Sequence, residues 1–235
     1  FQQSITGFRD FDIGKHSVEE WSGITLNENG EIVEAKWDYF ALKGSLAFEW
    51  LPASIRAFSA VGNDITGSIG LMMLPDGMRG LNMAHKGLQG SIDLCNLPKG
   101  MRMLELNVNE LSGSIDLTHL PSTLRELHLQ HNVLTGSVNL TCLPPHLSVL
   151  ALNNNSFSGS IDVTQLPAGM EYCILGPNGF VGETDFSHLP KSLKNFDVDD
   201  TKLCGTIDVD ELTRTTFDTV GSLVRIIITQ GEHAD

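Results

Sequence analysis

Long hydrophobic runs are missing from this chain of 235 residues, although 41% of its residues are hydrophobic. The longest apolar stretch is LVRIII near the C-terminus, and Arg225 interrupts it. A membrane-spanning helix needs roughly 20 apolar residues, so we predict no membrane insertion. The apolar content suffices for one core, and the length does not require two domains. Because the chain begins at Phe1 rather than Met, we expect either a removed leader or a fragment.

Basic residues are also scarce in this chain. Lysine and arginine number 15 against 29 aspartates and glutamates, which gives a formal net charge of −14. An acidic protein repels the phosphates of nucleic acids and of anionic lipids. We therefore expect neither of these as the partner.

One pattern recurs along most of the chain. Leucine-proline returns every 23 residues, and a glycine returns with the same interval. The prolines are Pro52, Pro75, Pro98, Pro121, Pro144, Pro167 and Pro190. The glycines are Gly44, Gly67, Gly90, Gly113, Gly136, Gly159, Gly182 and Gly205. A fixed period of this length indicates a solenoid in which each repeat forms one coil.

The consensus unit is L-P-x-x-L-x-x-L-x-L-x-x-N-x-L-x-G-S-I-D-L-x-x. Its L-x-L part predicts a short strand with both leucines on one side. Stacking would then bury the leucines in a continuous column. The asparagines predict side chains that bond backbone groups of neighbouring coils, and Lys86 and Thr201 interrupt that track, so we expect looser turns there. The asparagines are Asn63, Asn109, Asn132, Asn155 and Asn178.

These repeats resemble the leucine-rich repeat family, whose unit is L-x-x-L-x-L-x-x-N-x-L. The following G-S-I-D is similar to the plant-type subclass, with Asp where plant repeats usually have Pro, and the variant resembles proteins of protists, kinetoplastids in particular. The resemblance implies an α/β-type solenoid, mostly β. It would be a right-handed superhelix with parallel strands on the concave face and short turns or strands on the convex face.

The two ends differ from the repeats, as the ends of a solenoid must. We predict an N-terminal cap over residues 1–31, with a β-hairpin turning at NENG, and about eight coils over residues 32–212. Residues 213–235 form the predicted C-terminal cap. In it TRTTFDTVG is a loop or short helix, and SLVRIII is a closing strand that restores the repeat spacing at Leu223, Ile226 and Ile228.

The cysteines bear on the compartment. Cys173 takes an inward leucine position and is expected in the core. Cys95 and Cys142 lie two coils apart, roughly 10 Å, which exceeds disulfide reach. No C-x-x-C spacing appears, so no zinc site is predicted. We expect an intracellular protein, in the cytoplasm or an organelle; the alternative is a secreted or cell-surface protein glycosylated at Asn139 or Asn154.

The family resemblance places binding on the concave strand face, where one residue per coil points outward. Later coils combine apolar and aromatic residues with charged ones, which suits a protein interface. The predicted binding residues are Met103, Glu105, Glu126, His128, Gln130, His131, Val149, Asn153, Tyr172, Ile174, Asn195, Asp197 and Asp199. We predict a non-catalytic protein-interaction module without cofactor, either a soluble binding protein or a subunit of a larger assembly. The acidic end suggests a partner with a basic segment.

Other interpretations stay open at this stage. One is an extracellular domain that recognises glycan or ligand. A more distant one is a metal-dependent enzyme built on Glu105, Glu126, His128 and His131. The aspartates that end the G-S-I-D motif, such as Asp93 and Asp116, could cap turns or form a calcium ladder, and we favour the caps because each coil supplies one carboxylate.

Overall fold

The computed structural model describes residues 5–6, 21–85, 87–210 and 215–229. In this part of the chain the strands form two ten-stranded sheets, here called the front sheet and the back sheet. The front sheet contains β2 (Ile24–Leu26), β3 (Ile32–Lys36), β5 (Ala57–Ser59), β7 (Gly80–Asn82), β9 (Met103–Glu105), β11 (Glu126–His128), β13 (Val149–Ala151), β15 (Tyr172–Ile174), β17 (Asn195–Asp197) and β19 (Thr216–Asp218). The back sheet contains β1 (Ile5–Thr6), β4 (Lys43–Gly44), β6 (Asp64–Ser68), β8 (Gly87–Gly90), β10 (Glu110–Gly113), β12 (Val133–Gly136), β14 (Ser156–Gly159), β16 (Gly179–Glu183), β18 (Lys202–Asp210) and β20 (Leu223–Thr229).

The repeat produces parallel pairing in register from β3 onward in the front sheet. Leu127 is paired with Leu104 on one side and with Leu150 on the other. All three side chains are fully buried, so the predicted leucine column is confirmed. The helical content of the described residues is limited to two 3-10 helices, Phe48–Trp50 and Leu71–Met73. Neither approaches the length of a membrane-spanning helix.

The predicted asparagine track is confirmed as a ladder between coils. Asn132 Nδ2 donates to the carbonyls of Leu106 in the preceding coil and Leu129 in its own, each at 3.0 Å. Asn132 Oδ1 accepts the N–H of Leu111 at 3.0 Å. The same pattern recurs at Asn63, Asn109, Asn155 and Asn178.

One predicted interruption of the ladder can be compared with the structure. Thr201 Oγ1 donates to Val198 within its own coil at 2.7 Å, and its contact with the N–H of Leu203 is 3.5 Å. The short threonine side chain therefore does not reach the preceding coil as asparagine does. Lys86 lies outside the described residues.

The glycine track supplies a backbone conformation that other residues rarely adopt. Gly136 has φ 86°, and a Cβ there would lie 3.1 Å from Ser114 Cβ in the preceding coil. A side chain would therefore meet both backbone strain and a close neighbour.

The C-terminal end corrects the sequence prediction. TRTTFDTVG contains β19, which extends the front sheet and packs Phe217 against the core. SLVRIII does form a strand, but β20 pairs with β18 in the back sheet, where Leu223, Ile226 and Ile228 are exposed. The last coil is shorter than its predecessors, because β19 begins 21 residues after β17 whereas β17 begins 23 residues after β15. TRTTFDTVG therefore supplies the next strand of the front sheet, and SLVRIII does not.

The N-terminal end contains the predicted hairpin, in which β2 and β3 pair antiparallel. Asn27 Oδ1 accepts the N–H groups of Asn29 and Glu31 and stabilises the NENG turn. The cap boundaries at residues 1–31 and 213–235 remain predictions.

Candidate interaction face

The outward side of the front sheet carries the predicted binding residues. Strand residues alternate between the core and this face, so Leu127 is buried while Glu126 and His128 beside it are half-buried. Of the predicted residues, His131 and Tyr172 are exposed and the others are half-buried. His131 lies in the turn after the strand, with φ 56°.

The apolar part of the face is less exposed than the sequence predicts. Tyr172 is 37% exposed, whereas Met103, Val149 and Ile174 are half-buried. Coils lie only about 4.8 Å apart, so each side chain is shielded by those of its neighbours. Lys194 further covers Tyr172, because its Nζ lies 5.8 Å from the ring centroid and 2.7 Å from Glu171 Oε2.

Carboxylates gather at the C-terminal end of the face. Asp197 Oδ1 accepts the N–H of Asp199 at 2.9 Å, and Asn195 donates to Asp218 Oδ2 at 3.3 Å. Burial, with the nearby Asp199 and Asp218 charges, raises the pKa of Asp197 to about 7. Asn195 Oδ1 and Asp199 Oδ1 are buried and accept no hydrogen bond within the described ranges.

A second polar group lies on β7, β9 and β11. The side chains of Glu105, Glu126 and His128 bring one ligand atom each within 4.8 Å of the others. Asn82 donates to Glu105 Oε2, and His128 Nε2 is 3.5 Å from Glu126 Oε2. His131, predicted as a fourth member, is not part of this group.

Sequence reasoning missed two features beside this face. Asp218 is predicted to lie in a loop or short helix, although the triplet T-F-D repeats N-F-D of β17 and indicates a strand. The second feature is a ladder of exposed arginines that precede the strands at the 23-residue interval. The ladder consists of Arg56, Arg79, Arg102 and Arg125. Among the described residues, none of these four arginines forms an ion pair.

The aspartates of the G-S-I-D motif cap turns, as favoured from the sequence. Asp93, Asp116, Asp162 and Asp185 each accept the N–H two residues later at 2.7 to 2.9 Å, and Asn139 does the same. These bonds, together with a side-chain hydroxyl donor where Thr or Ser follows, lower the pKa of the four carboxyls.

Three comparisons with known proteins bear on this architecture. No protein-family model and no curated protein matches the sequence. Among solved structures, the Arabidopsis receptor kinase HAESA, in complex with the peptide hormone IDA and the co-receptor SERK1, matches with a TM-score of 0.55 and 22% identity over 94% of this chain. The chain folds as a leucine-rich repeat solenoid. It spans about half, 48%, of the length of the HAESA chain.

Two further matches are structures of plant receptor kinases. The leucine-rich repeat ectodomain of the membrane receptor kinase GASSHO1/SCHENGEN3 from Arabidopsis thaliana has a TM-score of 0.49 and 17% identity, over 94% of this chain and 36% of that one. Pollen Receptor Kinase 3 has the same score and identity, over 92% of this chain and 85% of that one. At 22% identity, the HAESA match shows the fold alone.

Proposed function

We propose that this leucine-rich repeat solenoid is a non-catalytic module that binds a protein segment across the outward side of its front sheet. The observation that carries the proposal is the acidic end of that face. There, the half-buried carboxylates of Asp197 and Asp218 are paired across β17 and β19, and the half-buried Asp199 follows two residues after Asp197. Carboxylates form strong charge-assisted hydrogen bonds with cationic donors, so a ligand that brings N–H donors and positive charge fits this end.

The neighbouring coil supplies an apolar contact for the same ligand. Ile174 is paired with Asp197, and Asp197 with Asp218, so the apolar and acidic positions follow one another across adjacent strands. Tyrosine is enriched among the residues that dominate protein interfaces, and Tyr172 lies two residues before Ile174 on β15. We therefore expect a segment with an apolar side chain next to Lys or Arg.

The arginine ladder restricts where a basic segment can lie. Arg56, Arg79, Arg102 and Arg125 flank the earlier coils and would repel such a segment. Arginines beside the earlier coils and carboxylates on the last coils favour a single orientation of the partner. The basic segment is thus proposed for the coils from β15 to β19 only.

We also propose the secreted or cell-surface location over the intracellular one. The matched structures include a receptor in complex with a peptide hormone and a receptor ectodomain, which agrees with the extracellular alternative. Asn139 and Asn154 are exposed, so both glycosylation sequons are accessible. Mass spectrometry of native material tests the location: a glycan on either asparagine supports it, and two unmodified asparagines contradict it.

Peptide display against the immobilised intact chain tests the binding function. We expect enrichment of peptides that carry Lys or Arg beside an apolar residue. Above pH 7, where Asp197 is ionised, the selected peptide should bind Asp197→Asn roughly tenfold or more weakly, because the charged hydrogen-bonding group is lost. Asp208→Asn makes the same change at an exposed position of the back sheet and should leave the Kd unchanged. Enrichment of acidic peptides, or equal losses in both variants, would contradict the proposal.

A further inference from the structure

The Glu105, Glu126 and His128 group has the composition and spacing of a metal site. Two carboxylates and one imidazole present ligand atoms within 4.8 Å of one another. A metal ion bound by three such ligands draws their donor atoms to about 2 Å from itself, and this spacing allows that with small side-chain movements. We infer that these residues bind one divalent first-row transition metal ion, such as Zn²⁺. This inference is independent of the proposed protein binding.

The backbone holds the three side chains in place. Glu105 and His128 are direct partners on β9 and β11, and Glu126 lies two residues before His128 on the same side of β11. Strands β7 and β13 flank this pair in the continuous sheet. Ligands on strands inside a sheet are positioned more precisely than ligands on loops.

Asn82 on β7 orients one of the ligands. Its Nδ2 donates to Glu105 Oε2, and its Oδ1 accepts the N–H of Ala84 at 3.1 Å, which fixes the amide. A ligating carboxylate that is held by an outer hydrogen bond is the usual arrangement of protein metal sites. Glu105 Oε1 is not used by this bond.

The electrostatics of the group favour a bound cation. The carboxylates of Glu105 and Glu126 lie close enough to repel each other on this half-buried part of the face. A cation between the carboxylates would remove their repulsion.

The ligand types indicate the class of metal. Imidazole suits zinc and its first-row neighbours, whereas magnesium and calcium prefer oxygen ligands alone. Three protein ligands leave an open coordination position toward the outward face. The other His, Cys and acidic group of the described residues, Cys95 with Asp116 and His119, lies at three exposed positions. There, Asp116 already accepts hydrogen bonds from Thr118 and His119.

Titration of the intact, tag-free and metal-free chain with Co²⁺ and Zn²⁺ tests the inference. We expect one saturable site per chain, without the thiolate charge-transfer absorption that Co²⁺ bound to Cys95 would give. Glu105→Gln and His128→Ala should each weaken binding far more than tenfold, and Asn82→Ala by roughly tenfold, since it removes an outer-shell bond. Mg²⁺ and Ca²⁺ in excess should not compete.

The matched control is His119→Ala, which removes an imidazole from the exposed cluster and should leave the affinity unchanged. Thermal melts of the metal-free variants establish that each remains folded, and Glu126→Gln, at a more exposed position, provides a second ligand variant. Absence of saturable binding, retention of affinity in His128→Ala, or loss of affinity in His119→Ala would each overturn the inference.

Discussion

Replacing single asparagines of the ladder should produce unequal losses of stability, because their hydrogen bonds overlap. The carbonyls of Leu106 and Leu129 accept from Asn132, but each also accepts from a second asparagine, Asn109 or Asn155. Asn132→Ala therefore leaves both carbonyls with one donor. Only the buried N–H of Leu111 loses its acceptor.

Asn178 is the last asparagine of the ladder before Thr201, so no following asparagine shares its hydrogen bond to the carbonyl in its own coil. Asn178 donates to Leu175 at 2.6 Å and accepts from Phe157 at 3.0 Å. Thr201 does not reach Leu175, so Asn178→Ala removes the donor of that carbonyl as well as the acceptor of the Phe157 N–H. An orphaned buried group costs about 1–3 kcal/mol. We expect a loss of about 2–3 kcal/mol for Asn132→Ala and about 1–2 kcal/mol more for Asn178→Ala.

Urea unfolding followed by circular dichroism measures both losses, with native-state hydrogen exchange to locate them. The Leu111 amide should lose protection in Asn132→Ala, and the Phe157 amide in Asn178→Ala. Thr201→Ala, with its local bond only, is the matched control and should lose about 1 kcal/mol. If Asn178→Ala were no more destabilising than Asn132→Ala, the account of shared carbonyls would be wrong.

Three further predictions follow from side-chain environments. Cys95 and Cys142 are exposed and should react with a thiol reagent in the native state. Cys173 is buried, which raises its pKa to about 12, so it should react only after unfolding. Equal reaction rates for the three thiols would contradict this prediction. The folded-state pKa of Asp197, about 7, lies above its ordinary value of 3.8. The protonated carboxyl favours the folded state, so stability is fully retained below about pH 4 and is lost as the pH rises from about 4 to about 7. Thermal melts should therefore show Asp197→Asn gaining stability over the parent between about pH 4 and 7, and a constant difference across that range would refute the shift. Gly136→Ala should destabilise by roughly 1–2 kcal/mol in urea, and no loss would exclude strain at that turn.

The sequence predicts the coils of this solenoid well because one period repeats without insertion. The leucine column, the asparagine ladder and the cysteine in the core all follow from that period. The C-terminal end could not be placed in the same way, because the coil after Asn195–Asp197 is shorter and the L-x-x-I-x-I spacing of SLVRIII imitates the repeat. Its isoleucines belong to the back sheet and are exposed.

The candidate face is only partly predictable from the sequence. The alternation of residues identifies which side chains point outward, but their exposure depends on the neighbouring coils, as Ile174 and Val149 illustrate. The approach of Glu105 to Glu126 and His128 depends on side-chain conformation as well as register, while His131 is separated by the turn. The arginines of the ladder recur at the 23-residue interval, but each lies immediately before a strand. The predicted binding residues lie on the strands or in the turns after them.

The most direct test of the proposed function compares two apolar-to-acidic substitutions on opposite sheets. Ile174→Asp changes the outward face of β15, and Val181→Asp makes the same kind of change at an exposed position of β16 in the back sheet. The measurement is the Kd of a display-selected basic peptide for each variant, with melting curves to show that both are folded. We predict a loss of roughly tenfold or more, about 1.4 kcal/mol, for Ile174→Asp and an unchanged Kd for Val181→Asp. Loss in Val181→Asp with full binding in Ile174→Asp would place the interaction on the back sheet and contradict the account.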